Sequence, residues 1–188
     1  MFMLKKSILA LALLGLTVQG ADKKIDDFEG EKFSKFWKVE GEAFGNAPAA
    51  QVGRQVAKEM HFTKKLANSF HKDDAGQGKL TSSTFKIEKK YITFLIGGGK
   101  HKGKTCLNLL IDGKVTHSAT GENSNSLRKA HFDVSKFIGK NAVLEIVDSY
   151  SGGWGYILVD QLAQADSLGK STKKSVIFKV PDNYAADL

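Results

Sequence analysis

Short apolar and β-branched runs, separated by glycine and aspartate turns, follow one another along most of the chain. Residues 142–148 alternate, with Leu144 and Ile146 on one face and Glu145 on the opposite face between two valines. A period of two is typical of a half-buried strand. Comparable runs predict further strands at 36–44, 79–87, 91–96, 105–112, 114–120 and 156–162. Strands spaced about 8–12 residues apart, with turn signals between them, favour a β-sandwich.

The sequence also predicts two turns and contains one long segment between strands. Asp112-Gly113 predicts a type I′ hairpin, because both central residues of that turn need positive φ. Asp133 and Ser135 are placed to cap a short turn that leads through Gly139 into the next strand. Residues 51–66 are the one possible helix, but their apolar positions are sparse, and a long loop with a turn of helix is the alternative.

The first twenty residues have the pattern of a secretory signal peptide. Lys5 and Lys6 precede an apolar stretch at 7–18, and residues 18–20, which are small or tolerated near a cleavage site, lead up to Ala21. The stretch is shorter than the roughly 20 residues that span a bilayer, so an uncleaved anchor is the less favoured alternative. We expect cleavage before Ala21 and a secreted or periplasmic protein without a stable membrane anchor.

Length and composition then divide the chain into a signal peptide at 1–20, a β-sandwich module at 21–164, and a linker and tail at 165–188. Hydrophobic residues make up 41% of the 188 residues and charged residues 26%, as in a packed globular domain. Cys106 is the single cysteine, which excludes an intramolecular disulfide and a cysteine zinc cluster. Its apolar surroundings predict a buried small hydrophobe.

The chain is basic, with a formal net charge of +8 that falls to +6 when Lys5 and Lys6 are removed with the signal peptide. The lysines are scattered in pairs, and no nucleic-acid-binding motif is present. We therefore expect a solvated basic surface and no nucleic-acid partner.

Several motifs occur in order between residues 25 and 162. They are Asp27-Phe28-Glu29-Gly30, the segment 37–45, Asn68-Ser69-Phe70, the segment 94–114 with Ala119-Thr120-Gly121, Ile146-Val147-Asp148, Gly152-Gly153-Trp154-Gly155 and Val159-Asp160. Together they resemble the β-sandwich module attached to some secreted family 32 glycoside hydrolases, the levanases and β-fructosidases. The resemblance implies a galactose-binding-like jelly roll with a fructan-associated role, and it does not imply catalysis. The propeller that carries out β-fructosidase chemistry has no room in this chain.

A second, weaker resemblance concerns the end of the chain. Residues 176–188 are similar to the opening of secreted sorbosone-dehydrogenase-like propeller domains. Two interpretations stay open: the chain is a fragment of a larger protein, or these residues are a tail after a polar linker.

Four residues are candidates for carbohydrate binding. Glycines flank Trp154 and leave its indole free to stack on a sugar ring, or the indole is an aromatic plug at the end of the sandwich. Tyr150 has the same two interpretations. His101 follows a triple glycine and is either a binding or an exposed loop histidine. Arg128 could direct its guanidinium fork at sugar hydroxyls or a carboxylate.

Glu40 and Glu42 are two residues apart on a predicted strand, which would place them on one face about 6.6–7 Å apart. That separation overlaps the distances between the carboxylates of glycosidases. The favoured alternative is a pair of solvated acids that accept hydrogen bonds, including from sugar hydroxyls. No other catalytic constellation or motif is present in the sequence.

Asp27, Glu29 and Asp160 are candidates for a structural Ca²⁺ site. In jelly-roll binding modules the first and last strands are neighbours, and carboxylates on them often share a calcium ion. The alternative is salt bridges to nearby lysines.

The leading hypothesis is a secreted, non-catalytic module that binds a polysaccharide or oligosaccharide, with fructan suspected. Two other classes stay open. One is a structural or protein-interaction domain of a larger secreted protein. The other is a small glycoside hydrolase that uses Glu40 and Glu42.

Overall fold

A computed structural model describes residues 20–50 and 64–168, together with the backbone of residues 178 and 179. The predicted signal peptide lies outside the described residues, except for Gly20, and so does most of the predicted long loop at 51–66. Within the described ranges, no helix has both the length and the apolar character needed to cross a bilayer.

The described residues form an all-β sandwich of two antiparallel sheets. The strands are β1 (Lys23–Asp26), β2 (Trp37–Gly41), β3 (Ala67–Asn68), β4 (Gly78–Ser82), β5 (Phe85–Lys86), β6 (Tyr91–Gly98), β7 (Thr105–Ile111), β8 (Lys114–Ala119), β9 (Ser124–Asp133), β10 (Asn141–Asp148), β11 (Ile157–Ala165) and β12 (Phe178–Lys179). One sheet has the order β1-β11-β6-β9, with β3 also paired to β11, and the other has the order β12-β8-β7-β10-β4-β2, with β5 paired to β10. The predicted sandwich is confirmed.

The core lies between the sheets and is built by the alternation visible in the sequence. Leu144 pairs with Leu109 and Ile146 pairs with Leu107 across β10 and β7, and all four side chains are buried. Ile157 and other apolar residues of the opposite sheet, which contains β11, pack in the same cluster. Each such side chain contributes about 1.5–3 kcal/mol when it leaves water, so the facing apolar rows hold the sheets together.

Both predicted turns are present. Asp112 and Gly113 have φ values of 52° and 75°, as a type I′ hairpin requires. Asp133 Oδ1 accepts hydrogen bonds from the Ser135 amide at 3.0 Å and the Ser135 hydroxyl at 2.6 Å. A single 3₁₀ turn follows at Ser135–Phe137, and Gly139 takes a φ of 88°.

Two predicted strands differ from the structure, and some observed strands were not predicted. The predicted strand at 36–44 ends at Gly41, whose φ of 73° turns the chain. The predicted strand at 79–87 is divided into β4 and β5. The ten-residue β9 was not predicted, because its sequence, SNSLRKAHFD, is too polar to show an alternating pattern.

The sheet registers bring several strand ends to one end of the sandwich. Gly98 pairs with Ile157 and with Ser124, so β6 ends where β9 and β11 begin. Asp148 pairs with both Gly78 and Thr105, so β10 ends where β4 and β7 begin. The connections 69–77, 99–104 and 149–156 therefore emerge together.

Candidate functional site

A groove of about 1130 Å³ opens at this end of the sandwich. We call it the aromatic groove and define it by Phe70, Trp154 and Tyr156. Further lining comes from Phe44, Ala47, Ala49, Ala50, Asn68, His71, Lys72, Asp74, Asn125 and Gly153. Aromatic rings and a few convergent polar groups in one concave surface are typical of small-molecule binding sites.

The three aromatic rings form a contiguous series. Trp154 stacks on Tyr156 with ring centroids 5.8 Å apart, and Phe70 meets Tyr156 edge-on at 5.3 Å. Tyr156 is 7% exposed, whereas Trp154 is 37% exposed. Tyr156 is therefore a buried support, and Trp154 presents its indole to solvent.

Polar contacts hold the aromatic groove in place. The Tyr156 hydroxyl donates a short hydrogen bond to Asn125 Oδ1. Asn68 Oδ1 accepts the amide of Phe70 at 2.8 Å, and Ser69 Oγ accepts the amide of Ile157 at 2.8 Å. The connection that carries Phe70 is thus bonded to the strand that begins next to Tyr156.

His101 contacts two residues of the loop at 149–156. Its Nε2–H donates to the carbonyl oxygen of Gly153 at 3.2 Å, and its ring lies 3.9 Å from the ring of Tyr150. The Lys104 ammonium lies 5.5 Å from the Tyr150 ring centroid. His101 and Tyr150 therefore fix the loop of Trp154, but neither lines the aromatic groove.

Asp148 is a buried carboxyl at the start of the same loop. Burial, with a smaller contribution from the charge of Asp74, raises the pKa of Asp148 to about 7, although hydrogen bonds from Ser69 and the Tyr150 amide oppose the shift. Its Oδ1 accepts the Tyr150 amide at 3.4 Å. Burial also raises the pKa of Tyr156 to about 12, so its hydroxyl keeps its proton and stays a donor.

Arg128 lies beside this end of the sandwich but outside the lining of the aromatic groove. Its Nη2 donates to the carbonyl oxygen of Thr120 at 2.9 Å, and its Nε lies 3.6 Å from Glu122 Oε1. Burial lowers the pKa of the guanidinium, and the charge of Glu122 opposes that shift. These contacts tie β9 to the connection that precedes it.

The expectation that Glu40 and Glu42 share a strand face is wrong, because β2 ends at Gly41 between them. Glu40 pairs with Lys38 at 3.1 Å, and this hydrogen bond lowers the pKa of Glu40. Glu42 is exposed and lies 3.4 Å from Lys72, which lines the aromatic groove. The strand geometry that would have set these two acids at the separation of glycosidase carboxylates is therefore absent.

The neighbouring first and last strands expected for the calcium site are present, because β1 pairs with β11. The acids themselves have other contacts. Asp27 pairs with Lys24 at 2.8 Å, and Glu29 Oε1 accepts the Lys64 amide at 2.7 Å. Asp160 is buried, and its Oδ1 accepts the Gln161 amide at 2.7 Å.

Asp27 and Glu29 line one pocket, and Asp160 is not part of its lining. Within the described ranges, no three His, Cys, Asp or Glu side chains converge as metal ligands. Calcium at this position stays a prediction without support from the geometry.

Sequence reasoning did not identify Phe70, Tyr156, Asn125, Asp74 or Asp148 as site residues, although Phe70 and Asp148 lie in motifs that carry the family resemblance. One signal was available: the alternation that buries Leu144 and Ile146 also assigns Asp148 to the core face, where an acid is unusual. The other four carry no local signal, since long-range strand pairing brings them together.

Comparisons with known proteins agree with this fold. No protein-family model matches the chain. Over 164 residues, which are 86% of this chain, it is 35% identical to ecdE of Aspergillus rugulosus, which is named as a glycosyl hydrolase. The chain spans only 23% of the length of that protein.

Among solved structures, the chain is similar to the carbohydrate-binding module TmCBM61 in complex with β-1,4-galactotriose. The TM-score is 0.51 at 13% identity, over 75% of this chain and 94% of the module. A family 35 carbohydrate-binding module from an environmental isolate matches over 74% of this chain and 98% of its own, at 11% identity and a TM-score of 0.34, too low to support an argument. The likeness to TmCBM61 shows that the chain shares the β-sandwich fold of a carbohydrate-binding module.

Proposed function

We propose that this chain is a secreted, non-catalytic carbohydrate-binding module, and that a glycan binds in the aromatic groove. The observation that carries the proposal is the exposed indole of Trp154, stacked on the buried ring of Tyr156. An aromatic ring held rigidly by a second ring is a platform for the apolar face of a sugar, and it loses little conformational entropy on binding.

Polar groups around the platform would select the sugar through its hydroxyls. Asn125 and His71 line the aromatic groove beside the rings, and Lys72 is close to Glu42 at its rim. Amide and imidazole groups both donate and accept, so they suit hydroxyls, which do the same. The proposed mode is stacking on Trp154 with hydrogen bonds from these side chains.

The comparisons support a carbohydrate ligand without fixing which one. The named glycosyl hydrolase that the chain resembles is much longer than this chain, as expected if the chain corresponds to an accessory module. The resemblance to levanase-associated modules makes fructan the proposed ligand. β-1,4-Galactan is the matched comparator, because TmCBM61 was solved with its trisaccharide.

Affinity electrophoresis in levan, inulin and β-1,4-galactan gels, followed by titration calorimetry with oligosaccharides, tests the proposal. We expect retardation in levan or inulin that Trp154→Ala abolishes. Ile138→Ala is the matched control, because Ile138 is an exposed apolar residue at the opposite end of the sandwich. Retardation in galactan alone would mean that the ligand is galactan and not fructan. No retardation by any glycan would favour a protein-interaction domain.

The glycoside hydrolase alternative is tested in the same preparation. Sugar release from levan or inulin by the purified chain, lost in Glu40→Gln, would overturn the non-catalytic assignment. We expect none, because Glu40 is paired with Lys38 on β2 and is not part of the groove lining.

A further inference from the structure

Among the described residues, Asp74 carries the one carboxyl group that lines the aromatic groove. Its carbonyl oxygen lies 2.4 Å from the position that a Cβ atom on Gly155 would take, so only glycine permits this close approach. Gly155 separates Trp154 from Tyr156, and burial together with the charge of Asp74 raises the pKa of Tyr156. The carboxylate of Asp74 therefore lies close to the aromatic platform.

This carboxylate differs from nearly all others in the protein because it has no donor. In the part of the chain that the structure describes, every Asp and Glu side chain except Asp22 and Asp74 accepts a hydrogen bond or forms an ion pair. Asp22 is exposed to water, whereas Asp74 is half-buried and its Oδ1 is buried without a partner. A carboxylate that has lost part of its water without gaining a donor is destabilising.

The groove itself does not supply the missing donor. Lys72, the one ammonium group among the described lining residues, lies 3.4 Å from Glu42. The Tyr156 hydroxyl donates to Asn125. Rotation about the Cβ–Cγ bond of Asp74 exchanges its two oxygens, so either oxygen can meet a ligand in the groove.

The chemistry of a carboxylate determines which ligand groups can meet it. An ionised carboxylate only accepts hydrogen bonds, and its two oxygens can accept from two adjacent hydroxyl groups. Hydrogen bonds from a hydroxyl to a carboxylate are shorter and stronger than those between neutral groups. A carboxylate on the ligand would instead be repelled at this position.

We propose that Asp74 determines the specificity of the aromatic groove, by accepting hydrogen bonds from the hydroxyl groups of an uncharged glycan and by excluding glycans that carry carboxylates. The inference rests on the proposed function, since it names the class of glycan that binds there. Stacking on Trp154 is available to charged and uncharged sugars alike, so the choice between them falls to Asp74.

The test compares inulin oligosaccharides with the same oligosaccharides oxidised at their primary hydroxyls to carboxylates, by titration calorimetry. β-1,4-Galactotriose and its oxidised form replace them if the parent chain binds galactan and not inulin. We expect the parent to bind the uncharged form about tenfold more tightly than the oxidised form. Asp74→Asn keeps the shape of the side chain but removes its charge. It should weaken binding of the uncharged form about tenfold and reduce the preference over the oxidised form.

Asp73→Asn is the matched control, because it removes the same charge from the adjacent residue. Asp73 is exposed, lies outside the groove lining, and accepts the amide of Ala75 at 2.9 Å. This variant should bind both forms like the parent.

Equal affinity of the parent for the two forms would overturn the inference, and this comparison decides if Asp74→Asn does not fold. Unchanged affinity in Asp74→Asn would overturn it too, and would leave the proposed function in place. Equal weakening toward both forms, with a lower melting temperature, would also overturn it, because Asp74 would then only support the loop of Trp154. If the parent binds no glycan, the proposed function fails and this inference fails with it.

Discussion

Trp154 stacks on Tyr156 with ring centroids 5.8 Å apart and ring planes inclined by 29°. Trp154 lies in a loop at a φ of 61°, whereas Tyr156 immediately precedes β11. The exposed ring is therefore held by a ring that is itself anchored to the sheet. This arrangement separates the proposed binding role of Trp154 from the packing role of Tyr156.

Trp154→Ala should weaken glycan binding and leave the fold intact. The indole is 37% exposed in the free protein, so its removal costs little core packing. Loss of a ring that is desolvated on binding should reduce affinity by about 1–3 kcal/mol, roughly five- to 150-fold. Calorimetry and thermal melting of the same samples check this. A lower melting temperature with unchanged affinity would identify Trp154 as an aromatic plug.

His101→Ala should weaken binding less than Trp154→Ala. The variant loses the hydrogen bond to Gly153 and the contact with Tyr150, which together fix the loop of Trp154. A looser loop must be ordered when the ligand binds, at a cost of about 0.5–1.5 kcal/mol for each side chain immobilised. Titration calorimetry should show a more unfavourable binding entropy. Equal affinity in the variant and the parent would mean that the loop is held by other contacts.

The parts of this fold that could be predicted are those encoded locally. Asp112-Gly113 specifies its hairpin through backbone conformation, and the alternation at 142–148 specifies which face is buried. The aromatic groove could be predicted only in part. Trp154 stands out among its glycines, but Phe70 reaches Tyr156 only because β3 pairs with β11, and nothing in either segment encodes that pairing.

Local conformation also explains why the paired-acid hypothesis failed. Glu40 and Glu42 were placed on one strand face by counting residues, but Gly41 adopts a left-handed φ of 73°. A Cβ on Gly41 would lie 2.7 Å from the Cα of Gly78, so glycine is needed at this close approach. A glycine between two polar residues was the available sign that the strand ends there.

Arg128→Met should destabilise the protein without changing glycan affinity. Methionine keeps the apolar stem but loses the hydrogen bond to the Thr120 carbonyl and the ion pair with Glu122. A half-buried hydrogen bond from a charged group contributes about 1.5–3 kcal/mol. Urea unfolding should show that decrease in the free energy of unfolding. Lys129→Met, at the adjacent exposed position on β9, is the control and should change it by less than about 0.5 kcal/mol.

Cys106 should be unreactive in the folded protein and should make its stability depend on pH. Burial raises the pKa of the thiol to about 12, although contacts with Ser118, Gly103 and Asn108 oppose the shift. Because the thiol of an unfolded cysteine has a pKa of about 8.5, the folded state binds the thiol proton of Cys106 more tightly than the unfolded state does. The thiol's contribution to stability is complete below pH ~8.5 and is lost as the pH rises toward 12.

Ellman's reagent at pH 8 should therefore label Cys106 in the native chain only at the rate of unfolding. The free energy of unfolding should fall between pH 8 and pH 10 more steeply in the parent than in Cys106→Ala, in which the other titrating groups are unchanged. Rapid labelling of the native protein, or equal slopes in the two proteins, would contradict a buried thiol on β7.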